Sequence, residues 1–217
     1  MSGKKYVYAF EEGDGKNKML LGGKGANLCE MTQIGLNVPP GFTATTEACI
    51  AYLDKNQLPA GLMDEIKSHM AALEKKTGKG FGSGDNPLLV SVRSGSAMSM
   101  PGMMDTILNL GLNEASLQGL IKQTANERFA YDAYRRFIQL FGKIALGVDD
   151  EHFDERMVAI KRKYGAPQDV DLTAQHLKEL AGEFLGIVER HSGKPFPQDP
   201  YEQLEIAVGA VFRSWGG

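Results

Sequence analysis

The sequence is poor in cysteine and lacks long apolar runs, and each shortage removes a class of protein. Its two cysteines, Cys29 and Cys49, fall in segments with helical apolar spacing, so we expect reduced, buried thiols and not a disulfide scaffold. No apolar stretch approaches the roughly 20 residues of a membrane-spanning helix. Met1 to Lys5 lead directly into Tyr6 without a signal-peptide core, and the sequence therefore predicts a cytoplasmic protein.

Positive charge is not in excess either. The chain carries 24 lysines and arginines against 27 aspartates and glutamates, a formal net charge of −3, so overall charge gives no reason to expect nucleic acid as a partner. A small polyanion remains a candidate ligand, because a local cluster of donors binds it without a basic surface. The 42% hydrophobic and 24% charged residues are typical of a globular chain.

Local patterns divide the chain near Gly111 into a glycine-rich half with short strands and a mostly helical half, which predicts an α+β fold. Strands are predicted at 5–10, 42–45, 88–92 and 107–110, of which 88–92 is the strongest. Thr46 is predicted to cap a helix. A further helix is indicated by an apolar stripe that Gly78 ends. The stripe consists of Leu62, Ile66, Met70 and Leu73.

The second half is predicted to contain four helices, each with one apolar face. Residues on these faces include Phe129, Phe137 and Phe141 on the first, Phe153 and Tyr164 on the second, Leu177 and Phe184 on the third, and Leu204, Phe212 and Trp215 on the last. Because the last helix presents Val211, Phe212 and Trp215 next to the final glycines, we expect its packing partner to lie in sequence that is not present here.

A first candidate site is the run Gly22-Gly23-Lys24-Gly25, which we predict to be a tight loop before a helix that ends near Ile34. Glycines let backbone N–H groups turn towards one point, and the helix N-terminus favours an anion there. Lys24 adds a mobile positive charge. The spacing is not that of a Walker A loop, and the alternative is a plain glycine turn with a solvated lysine.

A second candidate is Arg93, which follows the predicted strand 88–92 and opens a loop containing Gly95 and Gly102. Ligands gather where strands of mixed α/β folds end, and a guanidinium there can grip two phosphate oxygens. The alternative is an arginine that pairs with a neighbouring acid at the edge of the sheet.

Residues 98–106 form an unusual loop with four methionines. Adaptable core filling is one interpretation. The other is a loop that folds over a ligand, in which Gly102 allows close backbone approach and Thr106 offers a hydroxyl. Asp105 alone is a weak indication of magnesium. The histidines at 69, 152, 176 and 191 show no metal-ligand spacing.

Three stretches together resemble the pyruvate, phosphate dikinase family: GGKGANL at 22–28, GLNVPPGFTATTEA at 35–48 and SVRSGSAMSMPGMMDTILNLGL at 91–112. The first two also resemble phosphoenolpyruvate synthases in looser form. The third distinguishes the dikinases, because the synthases carry an acidic Ala-Glu-Asp stretch after the arginine.

The resemblance implies an ATP-grasp-like nucleotide-binding domain, with its first part at 1–112, a helical subdomain at 113–200 and a truncated return helix at 201–217. In the family, this domain binds Mg-ATP and inorganic phosphate and passes the β-phosphoryl group to a histidine on a separate domain. The overall reaction converts ATP, pyruvate and phosphate into AMP, phosphoenolpyruvate and diphosphate. By motif, Lys24 and Arg93 would be the catalytic, phosphate-gripping cations, and Gly102, Met104 and Thr106 would line the triphosphate side.

The resemblance also implies parts that this sequence lacks. The phosphohistidine motif and the acidic Mg²⁺ ligands are expected outside the chain, so we expect an inactive, monomeric fragment of a homodimeric parent. Two alternatives remain at this stage. One is a phosphoenolpyruvate synthase, in which water accepts the γ-phosphoryl group, and the other is a non-catalytic nucleotide-binding or interaction module.

Overall fold

The computed structural model describes residues 3–95 and 106–216. In this part of the chain helices predominate and strands are short, so the α+β prediction is confirmed. The helices are α1 Lys18–Gln33, α2 Thr46–Lys55, α3 Leu62–Thr77, α4 Glu114–Thr124, α5 Glu127–Leu146, α6 Asp150–Tyr164, α7 Ala174–Ser192 and α8 Pro200–Ser214, with a 3-10 turn at Asp169–Asp171. The strands are β1 Val7–Ala9, β2 Phe42–Ala44, β3 Gly80–Phe81, β4 Pro87–Leu88, β5 Val90–Val92 and β6 Ile107–Leu110.

The strands form three separate two-stranded sheets. β1 and β2 are antiparallel, β3 and β4 are parallel, and β5 and β6 are antiparallel with an irregularity between Val90 and Val92. The described residues divide into two compact units. The first unit contains 3–78, 93–95 and 208–216, and the second contains 79–92 and 106–207. The predicted division at 112 and 200 stays a prediction.

In the first unit, helices cover the β1–β2 pair. A small core joins Phe10, at the end of the β1 segment, to Leu21, Ala26 and Cys29 of α1. The last turn of α8 packs on α2, where the rings of Tyr52 and Phe212 lie 5.7 Å apart. The expectation that the end of α8 lacks a partner is therefore wrong, since Phe212 is only 5% exposed.

In the second unit, α5, α6 and α7 pack around aromatic rings. Phe137 and Phe141 of α5 both contact Phe196, with ring centroids 5.5 and 5.4 Å apart. Phe153 of α6 meets Phe184 of α7 edge to face at 5.0 Å. Offset and edge-to-face contacts of this kind add to the stabilisation that burial already provides.

Several predicted elements differ in detail. The helical half contains five helices in the described residues, one more than predicted. The helix not predicted is α4, at whose start Asn113 and Ser116 form a capping box. The predicted strand 88–92 is two short strands separated at Leu89. The N-cap of α2 is Thr45, whose side chain accepts from the N–H of Ala48, and not Thr46.

Three residues predicted to face inward are partly exposed. Phe129, Tyr164 and Trp215 keep 50%, 38% and 37% of their surface. The other apolar positions predicted on the same helices are buried or half-buried. The helical period was therefore correct, and the errors fall at helix ends, where neighbouring elements no longer cover the apolar face.

Both cysteines are free and buried, as predicted. Burial raises the pKa of Cys49 to about 11 and also raises the pKa of Cys29. Because the thiolate is the reactive form, we expect neither thiol to react with a chromogenic thiol reagent at pH 8 until the chain is unfolded in denaturant. Rapid modification of either cysteine in the folded chain would contradict this burial.

No helix in the described residues is long and apolar enough to cross a membrane. The cytoplasmic location stays a prediction.

Candidate functional site

Helix α1 is interrupted once, at Gly22. Its backbone there has φ 74° and ψ 165°, a region that only glycine occupies readily. The residues on both sides are helical, and the side chain of Asn17 caps the first piece by accepting from the N–H of Leu20. The predicted loop at 22–25 is therefore wrong, because only Gly22 leaves the helical conformation and Lys24 lies in the first turn after the break.

Gly22 lies directly against the backbone of Gly95. A Cβ atom at Gly22 would come within 2.4 Å of the Gly95 carbonyl oxygen. The same oxygen accepts a hydrogen bond from the N–H of Lys24 at 3.2 Å. The two glycine-containing motifs, more than 60 residues apart in the sequence, are thus joined through their backbones within the first unit.

This contact also reduces the number of backbone donors available at the predicted anion site. One backbone donor of the helix start, the N–H of Lys24, is already occupied by the carbonyl of Gly95. A second glycine, Gly25, is needed for packing, since a Cβ there would lie 2.7 Å from the hydroxyl of Thr43. Gly22 therefore allows close approach of the Gly95 backbone and Gly25 allows close packing of Thr43, and the charge for an anion must come from side chains.

The side chains of Lys24 and Arg93 are both exposed. In the described part of the chain no carboxylate lies within ion-pair distance of either one. Other cations of the first unit do pair, as Lys4 does with Glu47 at 3.0 Å and Lys5 with Glu12 at 3.1 Å. The alternative of an arginine paired with an acid is thus not found among these residues, and both charges are available to an anion.

Ser94 and Trp215 are site neighbours that the sequence analysis did not single out as such. Ser94 is 3% exposed, and its hydroxyl accepts a hydrogen bond from Nε1 of Trp215 at 2.9 Å. The pattern of the last helix indicated an apolar role for Trp215, and no sequence signal pointed from it to a serine 121 residues away.

Of the remaining predicted site residues, the structure describes Thr106 alone. Thr106 is half-buried and immediately precedes β6 in the second unit. Gly102, Met104 and Asp105 lie outside the described residues. Within the residues that the structure describes, there is no group of three or more side chains that could hold a metal ion.

The histidines make contacts that fit structural roles. Nδ1 of His69 lies 2.9 Å from the carbonyl oxygen of Glu65, and Nε2 lies 3.2 Å from a carboxylate oxygen of Glu12. His152 stacks on His191, and His176 stacks on Tyr164, both at 3.8 Å.

Comparison with known proteins gives a consistent result along the chain. The profile described as "Pyruvate phosphate dikinase, AMP/ATP-binding domain" matches residues 18–79. A pyruvate, phosphate dikinase from Entamoeba histolytica is 60% identical over 212 residues, which is 97% of this chain and 24% of the relative. The chain belongs to the pyruvate, phosphate dikinase family. The dikinase of Clostridium symbiosum is 52% identical over 97% of this chain and 24% of its own length. The chloroplastic dikinase 1 of Zea mays is 50% identical over 98% of this chain and 23% of its own length.

The chain therefore spans about a quarter of the length of these dikinases. The nucleotide-binding profile of the family includes Gly22 and Lys24 and ends before Arg93. The resemblance inferred from the three motifs is confirmed at the level of the family, while the roles of individual residues stay predictions.

Proposed function

We propose that this chain contributes the ATP- and phosphate-contacting part of a pyruvate, phosphate dikinase. In that reaction ATP, pyruvate and phosphate give AMP, phosphoenolpyruvate and diphosphate, by way of a phosphorylated histidine on a separate domain. The observation that carries the proposal is the backbone contact of Gly22 and Lys24 with Gly95. It joins two family motifs in one unit, each with an exposed cation that no carboxylate of the described residues pairs.

The chemistry that this proposal requires is placement and charge neutralisation. Phosphoryl transfer needs little covalent help from the protein, so fixed cations around the phosphates supply much of the effect. Arg93 can hold two phosphate oxygens through its planar guanidinium, whereas Lys24 acts as a point charge. Gly102, Met104 and Thr106 are proposed to line the triphosphate side of the same site.

The architecture proposed for this function is the first part of an ATP-grasp-like domain, with segments at 1–112, 113–200 and 201–217. Three features support it, namely the family of the chain, the glycine-rich first unit and the helical second unit. ATP, inorganic phosphate and the phosphohistidine domain are its proposed partners. A monomer is expected for the chain, and a homodimer for the complete dikinase.

The acidic Mg²⁺ ligands are proposed to lie outside this chain. Mg²⁺ in phosphoryl-transfer enzymes is held by one or two carboxylates together with the phosphates. Among the described residues, no three metal-ligating side chains come together.

Replacing Arg93 by alanine is expected to weaken Mg-ATP binding to this chain by about 10- to 100-fold, because hydrogen bonds to charged groups contribute about 1.5 to 3 kcal/mol. Lys24→Ala is expected to act in the same direction with a smaller effect. Calorimetric titration measures both. The matched control is Arg190→Ala, which removes an exposed arginine from α7 in the second unit and should leave the affinity unchanged.

Equal affinity of the wild type and Arg93→Ala would contradict the assignment of Arg93, and a wild-type chain that does not bind Mg-ATP would contradict binding by this part alone. In a complete dikinase carrying this segment, Arg93→Ala should abolish the ATP half-reaction and leave pyruvate-side exchange intact. Diphosphate as product supports the dikinase, whereas orthophosphate without diphosphate indicates the synthase reaction.

A further inference from the structure

Trp215 is the only tryptophan in the sequence, and it reaches the segment that carries Arg93. Its indole N–H donates to the Ser94 hydroxyl at 2.9 Å. The ring keeps 37% of its surface exposed, whereas Ser94 keeps 3%. An indole nitrogen is a donor only, so the serine oxygen is the acceptor and the direction of the bond is fixed.

The segment Arg93-Ser94-Gly95 is consequently held from two sides within the first unit. Gly95 accepts from the N–H of Lys24 at 3.2 Å, and Ser94 accepts from Trp215. Of the three residues only Arg93 has an exposed side chain. The Ser94 side chain and the Gly95 carbonyl, which directly follow Arg93, are therefore both held in place.

The support for Trp215 is itself well anchored. The preceding turn of α8 is buried on α2, where the Cys49 thiol lies 3.8 Å from the carbonyl oxygen of Phe212. Nη1 of Arg213 donates to the hydroxyl of Tyr52 at 2.8 Å. The N–H of Trp215 is bonded to the carbonyl of Phe212 at 3.2 Å. The indole thus extends from a packed helix end, and it is not the tip of a loose tail.

We propose that Trp215 is a positioning residue for Arg93, acting through Ser94, so that the guanidinium is held ready for a phosphate group before the ligand arrives. This inference rests on the proposed function of Arg93. Ordering a contact group only on binding lowers the affinity, and small misplacement of a charged group reduces its effect strongly. Loss of the indole donor should therefore weaken phosphate binding, although Trp215 is assigned no phosphate contact of its own.

The test is a set of calorimetric titrations with Mg-ATP. Trp215→Phe keeps an aromatic ring and removes the donor, and Ser94→Ala removes the acceptor with little change in volume. Each variant is expected to weaken binding by about five- to tenfold, the size expected for one neutral hydrogen bond. Ser94→Ala also keeps the test decisive if Trp215→Phe does not fold.

The matched control is Gln33→Leu, which removes side-chain hydrogen bonds to the carbonyl oxygens of Phe10 and Gly13 in the first unit and touches neither residues 93–95 nor the end of α8. It should lower the melting temperature to a similar extent as Trp215→Phe and leave the Mg-ATP affinity unchanged. A general loosening of the first unit would instead weaken binding in both variants, and that result would overturn the positioning role.

A double-mutant cycle separates positioning from an independent effect. If Trp215 acts through Arg93, adding Trp215→Phe to Arg93→Ala should cause no further loss of affinity. Additive losses would overturn the inference, as would wild-type affinity in both Trp215→Phe and Ser94→Ala. The proposed function fails separately, when Arg93→Ala binds like the wild type. If the wild-type chain alone does not bind Mg-ATP, the same titrations in a complete dikinase carrying this segment decide both.

Discussion

Replacing Gly22 by alanine is expected to lower the free energy of unfolding of the first unit by about 3 kcal/mol or more. Two costs add at this position. A side chain is strained at φ 74° and ψ 165°, which costs about 1 to 3 kcal/mol. The new Cβ would also lie 2.4 Å from the carbonyl oxygen of Gly95, and overpacking of this kind costs about 1 to 3 kcal/mol. Because the Gly95 carbonyl is part of the backbone, it cannot rotate away from the new Cβ as the end of a flexible side chain can.

The control for Gly22 is Gly78→Ala at the end of α3. Gly78 also has a positive φ, 69° with ψ 17°, but nothing lies within 4 Å of a Cβ placed there. An alanine at Gly78 therefore loses unfolding free energy only through its left-handed backbone conformation, which costs about 1 to 2 kcal/mol. Urea unfolding followed by Trp215 fluorescence reports on the unit that contains both glycines. Equal losses in the two variants would show that contact with Gly95 contributes nothing.

Gly22→Ala should also affect binding, because Gly95 is two residues from Arg93. If the Cβ forces the two segments apart, the hydrogen bond from the N–H of Lys24 to Gly95 is lost and both cations move. We therefore expect weaker Mg-ATP binding at temperatures where the variant is still folded, whereas Gly78→Ala should bind like the wild type.

Replacing Phe137 by alanine is expected to cost about 3 to 5 kcal/mol of unfolding free energy in the second unit. Phe137 is 1% exposed, and its ring contacts those of Phe141 and Phe196 at 5.6 and 5.5 Å. Removing it leaves a cavity and breaks both aromatic contacts, since packed neighbours relax only in part. Urea unfolding followed by far-ultraviolet circular dichroism measures the loss, because most helices belong to this unit.

Phe129→Ala is the matched control on the same helix. Phe129 is 50% exposed, so its truncation should change the unfolding free energy by about 0.5 kcal/mol or less. A comparable loss in both variants would contradict the orientation of α5. The pair also tests the exposure of Phe129, which the helical period of the sequence wrongly placed on the inward face.

Local patterns predicted much of the secondary structure. The stripe Leu62, Ile66 and Met70 and the closing Gly78 predicted α3 correctly, because burial spacing and helix termination are both encoded within a few turns. The predicted strand 107–110 agrees with β6 to the residue. The missed helix α4 carried its signal at Asn113, a capping residue followed by Leu117 and Leu120 on one face.

Long-range pairing was the part that local patterns could not supply. The glycines at 22–25 favoured a loop, yet helical conformation continues on both sides of Gly22, and the carbonyl of Gly95 accepts the N–H of Lys24 in the first turn after the break. The end of α8 looked unpartnered because its partner, α2, lies about 160 residues earlier. In both cases the deciding contact joins residues far apart in the chain.

The sequence by itself determined the family, the α+β class, most helices and the two cations that we propose for phosphate binding. These follow from residue identity, helical period and motif spacing, all of which are local properties. Only the tertiary structure decided that Gly22 is a single break in a helix, that Gly95 lies against it and that Trp215 holds Ser94. Each of these depends on which distant backbone and side-chain groups meet, and that is set by packing of the whole unit and by the need of buried polar groups for a hydrogen-bond partner.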